Sequence, residues 1–206
     1  MSENMENGFE VPVKWLRVLM YIAIASLINS VINNLPLVPS TVTTWISRGI
    51  MVAMIVCMFQ LAPVSERYKK AGIMRVIMLA CTLVTAFLFT SSILILVAST
   101  LSIIAVYQEY NAHSEVVADK DVTLSGKWHR LFGWSILAAV LLAFGSTVTA
   151  MIFSFMEMDA VRLTAIIVGI LGAPQTILDI VYIVYINRMI HIFGNSEVQE
   201  DGRYFR

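Results

Sequence analysis

Asp179 is a carboxylate set deep in an apolar run, and it is the first residue in this chain whose surroundings call for a chemical reason. An ionised side chain costs about 2.5–3.5 kcal/mol at the centre of a membrane helix on insertion scales, so one is kept there for a partner or for a task. By three-and-four spacing Gly172, Gln175, Asp179 and Tyr182 fall on one helical face, which puts the acid in a polar stripe. Ser26, Asn29, Ser30 and Asn33 make a second stripe in the first apolar run. Arg75 and Gln60 are the polar groups at a depth matching that of Asp179. The candidate intramembrane site is therefore Asp179, Arg75, Gln175, Gln60, Asn29 and Asn33. An Asp179–Arg75 pair would neutralise both charges, and that structural role is favoured over a proton or substrate site. Arg48 lies nearer the outer interface, where its long stem lets the guanidinium reach water.

Glu109 and His113 stand four residues apart, followed by Glu115, Asp119, Asp121 and His129, with His191 further on. Carboxylates and imidazoles on one face can ligate a metal. Their spacing here fits no metal motif, and the chain has no His-Glu-x-x-His, no Gly-x-Ser-x-Gly and no Walker loop. These groups read as solvated loop charges. Cys57 and Cys81 both lie inside apolar runs and read as small hydrophobes. The sequence thus assigns no catalytic residue, no metal and no cofactor, and the expectation is a protein that is not an enzyme.

The elements that must hold these residues follow from composition. The chain has 206 residues, 58% hydrophobic and 14% charged, with a mean hydropathy of +0.79. Soluble domains carry about 45–50% apolar and about 25% charged residues, so a water-soluble globular domain is excluded, as are disorder and a coiled coil. Lys and Arg number 14, as do Asp and Glu, and this balance gives no electrostatic case for nucleic acid. A spanning helix needs about 20 apolar residues. That length fits helices at about 15–34, 44–63, 72–90, 92–110, 131–155 and 162–187. The run 72–108 would be about 55 Å long as one helix, nearly twice the hydrocarbon thickness, so it must turn back near Thr90-Ser91-Ser92. The last run is expected to kink or unwind at Gly172-Ala173-Pro174, two half-helices being the alternative.

The reading is an all-α, polytopic membrane bundle of six transmembrane helices, one domain over 1–194 with a short polar cytoplasmic tail at 195–206. With the N-terminus inside, Lys14, Arg17, Arg67, Lys69, Lys70, Arg75, Lys120, Lys127, Arg130, Arg188, Arg203 and Arg206 are cytoplasmic, against Arg48 and Arg162 outside. Both termini are then cytoplasmic, in the plasma (inner) membrane. The acidic start, with no Lys or Arg before Lys14, is no signal-peptide n-region, so the first span is retained.

Lys14-Trp15 before the first span resembles Lys127-Trp128 before the fifth, and interface anchoring explains this more simply than a duplicated hairpin does. Small residues four apart, Ala139 and Ala143 in the fifth span and Ala165, Gly169 and Ala173 in the sixth, predict close helix packing. The function expected is that of a non-enzymatic scaffold, subunit or envelope component. Its partners would be the lipid bilayer and a homo-oligomer or membrane-protein partner, with no nucleic acid. The alternative is a small carrier or channel whose polar path follows the first and sixth spans and involves Asp179.

Overall fold

Apolar runs of this length bury their backbone polar groups most cheaply as helices, since every N–H and C=O then finds a partner within the segment. The computed structural model describes residues 12–33, 39–87, 92–156 and 160–201, apart from the side chains of 146, 149, 150, 152–171 and 195–201. Among the described residues it contains no strand and six helices, each long and apolar enough to cross a membrane. They are α1 (Val13–Asn33), α2 (Ser40–Leu61), α3 (Glu66–Phe87), α4 (Ser92–Ala118), α5 (Val122–Met156) and α6 (Ala160–Asp201). The turn expected at Thr90-Ser91-Ser92 falls mostly on 88–91, outside the described residues, and α4 begins at Ser92.

Each helix packs on the next in sequence, and α1 packs on α6, so the six close into a ring. The outer face is apolar: Ile93, Leu96 and Phe144 are 73%, 67% and 70% exposed. So much large apolar side chain turned outward suits lipid and does not suit water. One end of the ring, where the 62–65 turn joins α2 to α3 and the 119–121 turn joins α4 to α5, is filled. Leu16, Leu19, Met58, Leu61, Tyr68, Trp128, Ile186 and Met189 are all at most 1% exposed there.

One expectation about the helices is corrected. The polar stretch 111–130 is helical except at 119–121, because Asn111, Ala112, His113 and Ser114 are buried against other helices rather than solvated. Hydropathy alone reads such a segment as loop. Helix α6 is one helix through Pro174, as expected, rather than two half-helices, and it is longer than the 162–187 read from hydropathy, running from Ala160 to Asp201. Near the proline, Thr176 Oγ1 donates to the Gly172 carbonyl at 3.3 Å.

Asp121 starts α5. Its Oδ1 accepts the Leu124 N–H at 2.9 Å, and its Oδ2 accepts from Arg188 Nη2 of α6 at 2.5 Å. The Leu124 amide, followed by the Arg188 charge, holds this carboxyl below the usual carboxylate value. A lowered folded-state pKa contributes stability above the unfolded value, near 4, that is lost as pH falls through the folded value. Acid titration of the unfolding midpoint should therefore show a loss below about pH 4. Asp121→Asn, which can still cap the helix, should lack that component, whereas an unchanged acid limb in this variant would mean that Asp121 titrates as in the unfolded chain.

Candidate functional site

A partly open cavity of about 400 Å³ lies within the ring next to its filled end, and all six helices contribute to the wall. Ser26 comes from α1, Met54 from α2, Arg75 from α3, Glu109 from α4, Ser135 from α5 and Asp179 from α6. Small residues at Ala23, Ser102 and Ala139 leave the space open, while Ile103, Val106 and Ile136 make much of the wall apolar. A volume in the range of about 300–1,000 Å³ with a few convergent polar groups is what a small-molecule site requires.

A buried polar network forms the floor. Arg75 Nη2 donates to Glu109 Oε2, and the two make an ion pair whose side chains are 14% and 2% exposed. Tyr182 from α6 donates its hydroxyl to Glu109 Oε1 at 2.5 Å. His113 lies one turn beyond Glu109, with Nε2 at 3.4 Å from the Tyr182 hydroxyl and Nδ1 at 2.7 Å from that of Tyr68. Both tyrosine hydroxyls and the imidazole find partners if Tyr68 donates to Nδ1 and the Nε2–H of His113 points to Tyr182, while the Nε of Arg75 is left without an acceptor. Helices α3, α4 and α6 are thereby tied at one depth. Rings enclose the network: Trp128 is 4.5 Å from His113 and 5.5 Å from Tyr182, and Tyr110 stacks on Tyr182 at 5.6 Å and 27°.

Above this floor, Asp179 accepts a hydrogen bond from Gln175 Nε2 at 3.1 Å, one turn earlier on α6. Asp179, Gln175 and Arg75 therefore share one cavity. The expected Asp179–Arg75 pair is corrected, because Arg75 pairs with Glu109. Helix α4 continues well past residue 110, so Glu109 faces the interior and reaches the guanidinium first.

The other candidates lie elsewhere. Gln60 is exposed. Asn29 donates to Ser47 Oγ at 2.8 Å and to the Thr43 carbonyl at 3.4 Å, and Asn33 accepts from Thr43 Oγ1 at 2.7 Å. These asparagines tie α1 to α2 and do not line the cavity. Arg48 stacks over Trp45 at 4.6 Å, with Phe87 at 5.7 Å, so aromatic faces of α2 and α3 receive its charge.

Glu109 and His113 are corrected from loop charges to core residues, at 2% and 0% exposure. Their four-residue spacing does continue an inward face through Ala105, Ala112 and Val117, a signal that the early end drawn for this helix concealed. Trp128 is likewise no interface anchor, being completely buried. Glu115 and Asp119 are exposed, and Glu115, on α4, pairs with Arg67 at 2.5 Å, whereas Asp121 caps α5 and pairs with Arg188. Among the described residues no three His, Cys, Asp or Glu side chains converge to hold a metal ion. Comparison with protein-family models, curated proteins and solved structures gives no match.

Proposed function

We propose that this chain is an integral membrane protein crossing the bilayer six times, with both termini cytoplasmic, and that it carries a small solute through the centre of its helix ring. The single observation behind the reading is the cavity into which every helix projects, with Asp179, Glu109 and Arg75 on its wall. A scaffold or subunit would be served by a filled bundle. A hollow one with charged walls has a use for the space. The reading is non-enzymatic, and it places the protein in the plasma (inner) membrane. Orientation rests on the cations at the filled end, Arg67, Lys69, Lys70, Lys120, Lys127 and Arg188 among them, against Arg48 toward the other end.

Cysteine accessibility tests both parts. In a background with Cys57 and Cys81 replaced by alanine, Ser102→Cys and Ala139→Cys on the cavity wall should react with a small water-soluble methanethiosulfonate. Leu96→Cys and Val140→Cys, on the outer face, should not. Ser40→Cys should be labelled by an impermeant reagent on intact cells, and Asp119→Cys only after permeabilisation. If Ser102→Cys and Ala139→Cys are as inert as Val140→Cys, the cavity is sealed from water and the scaffold reading replaces the carrier.

A further inference from the structure

Charge accounting in the cavity narrows the solute. Three ionisable side chains with full charges line it: Arg75, Glu109 and Asp179. Arg75 and Glu109 cancel, and Tyr182 takes up the other oxygen of Glu109. Asp179 is left with the amide of Gln175, and among the described ion pairs none includes it. With Asp179 ionised, the cavity therefore carries one net negative charge. A carboxylate in low-dielectric surroundings demands a counter-charge or a proton.

We propose that the counter-charge is the solute, a small organic monocation of the ammonium class, with Asp179 as its counter-ion; this rests on the carrier reading and specifies its substrate. Three features select an organic cation over a bare metal ion. A hard metal ion requires about six oxygen ligands brought together. Here the two carboxylates serve different partners, and no metal-ligating group of three exists among the described residues. The volume of about 400 Å³ far exceeds one ion, and Ile103, Val106 and Ile136 suit alkyl substituents. Tyr110 and Tyr182, stacked on each other, line the same cavity as Asp179 and extend its apolar wall.

The test compares choline with 3,3-dimethylbutan-1-ol, which has the same shape with carbon in place of the charged nitrogen. Both are titrated by calorimetry against the purified full-length protein in nanodiscs. Choline should bind at least about tenfold more tightly than the alcohol, because only the charge differs. Asp179→Asn should abolish that preference and Asp179→Glu should keep it. The wild-type comparison needs no variant, so it decides even if Asp179→Asn folds poorly. Equal binding of the two compounds, no binding of choline, or an Asp179-dependent response to sodium alone would each overturn the inference. None of these results touches cavity accessibility, which the cysteine labelling decides separately.

Discussion

Glu109→Gln and Arg75→Gln are each expected to destabilise the folded protein by about 3–5 kcal/mol, because each leaves the other charge buried without its counter-ion. Glu109 is 2% exposed and Arg75 14%, so water in the cavity reaches too little of either group to make good the loss. In Glu109→Gln the guanidinium keeps an acceptor but loses its compensating charge, and its Nε already lacks a hydrogen-bond partner. In Arg75→Gln the carboxylate keeps the Tyr182 donor, which orients it without cancelling its charge. Combining the two substitutions removes both charges at once, and a buried pair replaced as a unit is often close to neutral. The double variant should therefore recover most of the loss in equilibrium unfolding from detergent micelles, giving a coupling energy of at least about 2 kcal/mol against an uncertainty of about 0.5. Strictly additive losses would mean that the two side chains do not act on each other, and the cavity floor would have to be redrawn. Asp179→Asn should show no such coupling to Arg75→Gln, since Asp179 takes its described hydrogen bond from Gln175.

This network shows which parts of the molecule the sequence makes legible. The six apolar runs are readable because the hydrocarbon thickness fixes a helix length that composition can be measured against. The inward face of α6 is readable for a similar reason, since Gln175, Asp179 and Tyr182 are spaced by the helical period and meet the same cavity. The partner of Arg75 is not readable by matching depth alone. Depth depends on where each helix is taken to end, and ending α4 at residue 110 moved Glu109 from the interior to the interface. Hydropathy cannot place that end, because Asn111, His113 and Ser114 count as polar whether they meet water or, as here, other helices. Asn29 and Asn33 illustrate the same limit. Their stripe has helical spacing, yet the groups they satisfy are Ser47 and Thr43 on the adjacent helix rather than a path for solute. Periodicity gives the face of a helix, and only packing tells whether that face meets a neighbour or a space.

Trp128→Ala should rank beside the charge substitutions, at about 3–5 kcal/mol, the usual cost of removing a fully buried tryptophan. The ring is completely buried and touches His113, Tyr110, Tyr182 and Tyr185, with centroids at 4.5 Å for the first and 5.5 Å for the others. Its loss opens a void against the side chains that hold Glu109, and a closely packed interior relaxes only partly around a void of that size. Trp128→Phe should be much milder. The indole Nε1–H has no hydrogen-bond partner, so phenylalanine also removes a buried donor whose lack of a partner costs about 1–3 kcal/mol, offsetting part of the smaller ring. Trp134, on the same helix but 59% exposed, supplies the control: Trp134→Ala should shift the unfolding midpoint little in detergent. Were Trp128 an interface anchor, the two alanine variants would differ little and Trp128→Phe would fall close to Trp128→Ala. A large gap between Trp128→Ala and both of the other variants places the ring in the core, where it braces the floor that the cavity stands on.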